Sequence, residues 1–189
     1  MVRIDRVTTR SGDGGTTRLA DGTELSKASP LIIAIGEVDA ANCALGAARA
    51  QAQADELVAA VALFQNDLFD LGADLATPLD GPHEAHIPRI GEGHLVRIEQ
   101  ALLRVGEGLE PLTSFVLPAG DPAAIAWHQA RVAVRAAERA LVAAREATHG
   151  RSVGPMLAYM NRLGDWCFQA ARRCNDSGRD DVLWQPGGR

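Results

Sequence analysis

Residues 57–75 read LVAAVALFQNDLFDLGADL. Leu57, Val61, Phe64, Leu68, Leu71 and Leu75 recur at steps of four and three, which puts them on one stripe of an α-helix. Thr77-Pro78 stops it, because a residue before proline is pushed out of the helical region. An apolar stripe on a helix must be covered, and the flanking segments offer more helices to cover it. Ser29-Pro30 supplies an N-cap and a first-turn proline for a helix over about 30–50. Leu95, Ile98, Leu102 and Val105 repeat the helical spacing over about 91–107, closed by Gly106 and Gly108. Asp121-Pro122 opens a fourth helix to about 148, ended by Gly150, and a fifth runs over about 152–175.

Composition agrees. The chain of 189 residues holds 33 alanines, and aromatics make up only 4%. That mixture favours helix over sheet. The expectation is one all-α domain over 1–189: an antiparallel five-helix bundle with a ferritin-like up-down core. Residues 1–28 read as a structured polar loop with short extended pieces, 29–176 as the bundle, and 177–189 as a loose tail apart from Trp184.

Several classes are excluded. A net charge of −5 argues against a general nucleic-acid binder, although it leaves room for a local basic pocket. No uncharged run exceeds about 10 residues, against the ~20 needed to cross a bilayer. Charges at Arg3, Asp5 and Arg6 interrupt any signal peptide. Cys43, Cys167 and Cys174 lack ligand spacing and read as free thiols in a reducing cytoplasm. His83, His86, His94, His128 and His149 are scattered, and no Glu-x-x-His pair suggests a di-metal bundle.

Six groups of residues could carry chemistry. Thr9-Arg10-Ser11-Gly12-Asp13-Gly14-Gly15-Thr16-Thr17 could turn backbone N–H groups toward an anion, or form a plain exposed turn. Lys27 is the only lysine among 19 cationic side chains. It precedes a helix N-terminus, where it could reach a phosphate or simply be solvated. Arg131, Arg135, Glu138 and Arg139 share one face of helix four. Guanidinium forks suit a triphosphate, and a salt-bridged surface is the bland alternative. Asn161 and Asp165 are four apart among apolar neighbours, so some of these polar groups are expected to point inward or into an interface; inward ones would draw partners from those arginines, or form a network that only fixes helix register. Asp39 and Asn42 on helix one make Asp39 a candidate partner for one arginine, or a surface acid. The apolar loop Ser114-Phe115-Val116-Leu117-Pro118-Ala119-Gly120 either tucks into the core or offers Phe115 as a wedge to a large ligand.

Taken in order, these pieces resemble the PduO-type ATP:cob(I)alamin adenosyltransferase family. The family's T-x-x-G-D-x-G-x-T is matched by Thr9, Gly12, Asp13, Gly15 and Thr17, and its S-K by Ser26-Lys27. G-x-V-D-E-L-N reads Gly36 to Asn42, and S-F-I-L-P-G-G reads Ser114 to Gly120. R-x-x-x-R-R-A-E-R reads Arg131 to Arg139, and Y-L-N-R-L-S-D reads Tyr159 to Asp165. Ala40, Ala119, Ala136 and Gly164 depart from the pattern.

The resemblance implies a homotrimer with ATP between subunits, transferring the 5′-deoxyadenosyl group to cob(I)alamin and releasing triphosphate. It implies ATP binding by Thr9, Arg10, Gly12, Asp13, Gly15, Thr16, Thr17, Lys27, Arg131, Arg135, Glu138 and Asn161. Mg²⁺ would ride on the phosphates, with no direct protein ligand. Arg131 would pair with Asp39 across the interface, and Arg135 would stabilise the leaving group. Phe115 would occupy the lower face of the corrin, with Asn161 and Asp165 also on the cobalamin side. A cobalamin reductase and an adenosylcobalamin-dependent mutase would be partners, with no nucleic acid or membrane. The alternative is a carrier that delivers the cofactor with little turnover.

Overall fold

A computed structural model describes residues 8, 10–52, 54–79, 84–147 and 153–188. Two short strands, β1 (Thr16–Arg18) and β2 (Glu24–Ser26), are followed by α1 (Pro30–Arg49), α2 (Asp55–Ala76), α3 (Glu92–Gly106), α4 (Pro122–Ala147) and α5 (Gly154–Cys174). The expected all-α bundle is present, and the polar N-terminal segment contains a small antiparallel hairpin, with Thr16 opposite Ser26 and Arg18 opposite Glu24.

The core forms where helical stripes meet. Leu57, Val61, Phe64, Leu68, Leu71 and Leu75 are all buried, as their spacing requires. Helix α4 packs on both α1 and α5. It does so through Ala124, Trp127, Ala130, Val134, Ala137 and Leu141. Alanines let three helices approach closely, and the two large gaps are filled by tryptophans. Trp166 meets Phe64 edge-on at 5.0 Å and Trp127 edge-on at 5.4 Å, tying α5 to α2 and α4. Helix α1 is long and apolar enough to cross a membrane by length and composition. Its Leu31, Ala34, Val38, Ala41, Leu45 and Ala48 are instead buried in the common core.

Two acids sit on the apolar stripe of α2. Asp67 accepts from Arg97 at 2.8 Å and from the Tyr159 hydroxyl at 2.9 Å. Burial, then the neighbouring Asp67 carboxylate, raises the Tyr159 phenol well above its usual range, so it remains a donor. Asp74 accepts from the Arg89 side chain at 2.6 Å and from the Ile90 amide at 3.0 Å. These contacts pin α3 and the segment before it onto α2 and α5.

The tail is not loose. Leu117 donates its amide to the Val182 carbonyl at 2.8 Å, and Trp184 donates to the Phe115 carbonyl at 2.7 Å. The tail found its partner strand in the loop before α4, about 70 residues earlier in the chain.

Candidate functional site

The hairpin stands at one end of the bundle, since the Ala20 amide donates to the Ala76 carbonyl at the close of α2. Before it, the chain turns at Gly12–Gly15, with Gly15 at a φ of 82° that favours glycine. Lys27 leans back onto this turn and donates from Nζ to the Gly12 carbonyl at 2.7 Å. A Cβ at position 12 would lie 2.9 Å from that Nζ, so glycine leaves the space the ammonium occupies. Ser29 caps α1 by accepting from the Ile32 amide. The turn, the lysine and the helix N-terminus therefore share one end. Arg10, Asp13 and Gly15 are exposed there, with Gly12, Thr16 and Thr17 half-buried. Thr9 lies outside the described residues, as do His83 and His149.

Midway along α4, Arg131 is half-buried and Arg135 exposed. The Nε of Arg131 is buried without a partner among the described residues. Opposite, α5 brings Asn161 to donate to Glu138 at 3.2 Å. The Arg135 side chain passes over Gly164, where an added Cβ would make ordinary contact at 3.6 Å. The family's serine would fit there, so this departure costs the geometry little. Asn161 and Asp165 are exposed. Of the two expected orientations the inward one is not seen: Asn161 meets an acid rather than an arginine, and Asp165 has no ion pair with one among the described residues. The helix turns their positions outward and keeps Leu163 and Trp166 inside.

Asp39 is also exposed, and among the described residues it forms no ion pair with Arg131 in its own chain. Beside it, Ile35, Gly36, Leu68, Phe69, Gly72 and Ala73 line a groove of about 440 Å³. Phe115 is 77% exposed, resolving the loop's two readings in favour of a presented aromatic. Its ring meets Trp184 at 5.9 Å.

The histidines are less scattered than their spacing suggests. His94 Nε2 lies 3.8 Å from Asp67 and 4.0 Å from Asp70. Its Nδ1 accepts from the Gly91 amide at 3.3 Å, which leaves the proton on Nε2, facing the acids. His128 is buried, with both nitrogens unpartnered among the described residues. Burial, then the Arg131 charge, lowers its pKa, and Asp181 opposes the shift. A folded pKa below the unfolded one means that the unfolded chain takes up the proton first. The stability this histidine permits is full above about 6.5 and is lost as pH falls below that. Urea unfolding of His128→Leu across that range is expected to show a shallower acid slope than wild type, and an equal slope would count against this.

Sequence reasoning missed Asp67, Asp74, Arg172, Asn175 and Asp181. The first two carried a signal: they lie seven apart on the stripe of α2, where a polar residue must find a buried partner.

The bundle thus presents an arginine face on its fourth helix and a glycine-lysine turn before its first, two cationic features suited to a polyanionic ligand. A family model for cobalamin adenosyltransferase matches residues 7–174. A corrinoid adenosyltransferase of Mycobacterium tuberculosis is 42% identical over 190 residues, covering 99% of this chain and 96% of that protein. The corrinoid adenosyltransferase PduO of Salmonella typhimurium is 36% identical, over 89% of this chain and 49% of that protein. A variant PduO-type ATP:corrinoid adenosyltransferase from Lactobacillus reuteri, complexed with cobalamin and ATP, superposes with a TM-score of 0.84 at 30% identity, covering 95% of this chain and 99% of that one. The chain belongs to the cobalamin adenosyltransferase family.

Proposed function

We propose that the protein transfers the 5′-deoxyadenosyl group of ATP to the cobalt of cob(I)alamin. The carbon–oxygen bond at C5′ breaks, a cobalt–carbon bond forms, and triphosphate leaves. Reduced cobalt is itself a strong nucleophile, so the residues need only align C5′ and receive negative charge. The observation that carries this reading is the single ammonium seated over the Gly12 turn, together with the exposed guanidinium of Arg135. Lys27, the turn from Gly12 to Thr17, Arg10 and Arg135 would hold the triphosphate. Asn161 and Glu138, already bonded to each other, would orient the nucleoside. Mg²⁺ would neutralise phosphate charge, and the exposed Asp13 carboxylate fits its hydration shell. Phe115 would lie under the corrin and displace its lower axial ligand, with Asp165 beside the same ligand.

The assembly we infer is a homotrimer. The Lys27 turn and the Phe115 loop stand at opposite ends of α2, whose 22 residues span about 33 Å. A single ligand set meets both only if they come from different copies. Asp39, exposed beside its apolar groove and without an ion pair among the described residues, supports an ion pair with Arg131 of a neighbouring copy. The three free cysteines suit a reducing cytoplasm, where a cobalamin reductase and a mutase would work on either side of the reaction.

The deciding experiment is anaerobic incubation with ATP, Mg²⁺ and chemically reduced cobalamin. Adenosylcobalamin well above background is expected, and none would reject the proposal. Stoichiometric binding without turnover would identify the carrier instead. Lys27→Arg tests the turn: a planar, forked guanidinium does not reproduce the geometry of the compact ammonium that bonds the Gly12 carbonyl. Losing one charge-assisted bond of ~1.5 kcal/mol weakens ATP binding about tenfold. Unchanged affinity by calorimetry would remove Lys27 from the phosphate site.

A further inference from the structure

The loop that carries Phe115 makes little structure of its own. Leu112, Phe115 and Leu117 are 51%, 77% and 40% exposed, so the core does not hold it. Its backbone is fixed from outside, by residues 172–184. At its start, Arg172 Nη2 donates to the Glu110 carbonyl at 2.6 Å, and the Glu110 amide donates to Ser177. At its end, Asn175 donates to the Ala119 carbonyl at 3.1 Å and accepts from the Asp121 amide at 2.9 Å. Between these, residues 182–184 lie antiparallel to 115–117, and Ser114 Oγ donates to the Trp184 carbonyl at 2.9 Å.

One carboxylate joins these holds. Asp181 accepts from Arg172 Nε at 2.6 Å and from Asn175 Nδ2 at 3.3 Å. Its side chain is only 2% exposed, and that of Arg172 only 7%. A buried, bonded ion pair has one geometry and tolerates the loss of neither partner. The close approach is also built into the backbone. Gly120 and Gly178 both have positive φ, and a Cβ on either would collide with Asn175 or Arg172.

We propose that Arg172, Asn175 and Asp181 are positioning residues for Phe115. They anchor the tail as a strand along the loop, and that strand sets where the aromatic ring stands. This rests on the reading of Phe115 as the group beneath the corrin. The three residues touch none of the reacting atoms. Their effect reaches the reaction only through the ring, so removing the ring should make them silent.

The test uses this whole chain. With ATP and cob(II)alamin it reads the fraction of four-coordinate cobalt by electron paramagnetic resonance, and with a chemical reductant added to give cob(I)alamin it reads kcat and KM for ATP. Asp181→Ala is expected to lower the four-coordinate fraction and to reduce kcat about 10–100-fold, with KM for ATP little changed. In the double variant with Phe115→Ala, the further loss should be small, because both changes act on one group. Asp181→Asn keeps the shape and one acceptor oxygen and should fall between. It carries the same test if Asp181→Ala does not fold. A wild-type four-coordinate fraction in either folded variant, or losses that multiply in the double variant, overturns the proposal. A wild-type signal in Phe115→Ala alone would instead refute the reading of Phe115.

Discussion

Arg135→Ala is expected to lower adenosyl transfer by about 10²–10³-fold, the usual cost of removing one preorganised donor to developing charge. The fold should survive. Arg135 is exposed, and it makes no ion pair among the described residues. Its stem lies over Gly164, so truncation opens a surface notch rather than a cavity. The triphosphate leaving group gains charge at the bridging oxygen as the C5′ bond lengthens. A guanidinium aimed there stabilises the transition state more than bound ATP. Loss should therefore appear in kcat. Arg135→Lys keeps the charge but loses the planar fork and should recover only part of the rate. Single-turnover formation of adenosylcobalamin, followed by absorbance, distinguishes the three proteins. Wild-type rates in Arg135→Ala would remove it from the leaving-group role.

Trp166→Ala is expected to cost about 3–5 kcal/mol of stability, the range for emptying a large aromatic site in a core. Trp166 is 1% exposed and stands between Phe64 and Trp127, where α2, α4 and α5 meet. The surrounding alanines of α4 and α5 have no side-chain length with which to refill the space. Trp166→Phe keeps an aromatic edge and should lose less. Urea titration at fixed protein concentration measures both, because an assembled protein gains apparent stability from its partners. A loss below about 1 kcal/mol would mean that the aromatic stack is not where the helices are held.

The bundle was legible because its helices carry their own punctuation. Ser29-Pro30, Thr77-Pro78 and Asp121-Pro122 mark starts and stops locally, and the apolar period of α2 needs no knowledge of the rest of the chain. The Lys27–Gly12 contact was half legible: the two residue types pointed to an anion site, while their direct bond depended on how the hairpin closes. The choice between an inward and an interface orientation for Asn161 and Asp165 was not legible, because apolar neighbours along a helix do not share its faces. In the tail only Trp184 stood out, and the tail's pairing was not legible. Its bonds reach residues far back in the chain, and no local pattern in 177–189 announces a strand. Long-range pairing is decided by which surfaces remain open after the helices have packed.

That pairing also sets an order of events. Synthesis runs from the N-terminus, and domains tend to organise in that direction. The helices have local contacts and can condense early, but Ser114 must wait for a partner made 70 residues later. Until residues 181–184 emerge and dock, the nascent chain owns a bundle whose Phe115 has nothing to stand on. Docking of residues 181–184 is thus a late event, and it is the one that sets the Phe115 loop in place.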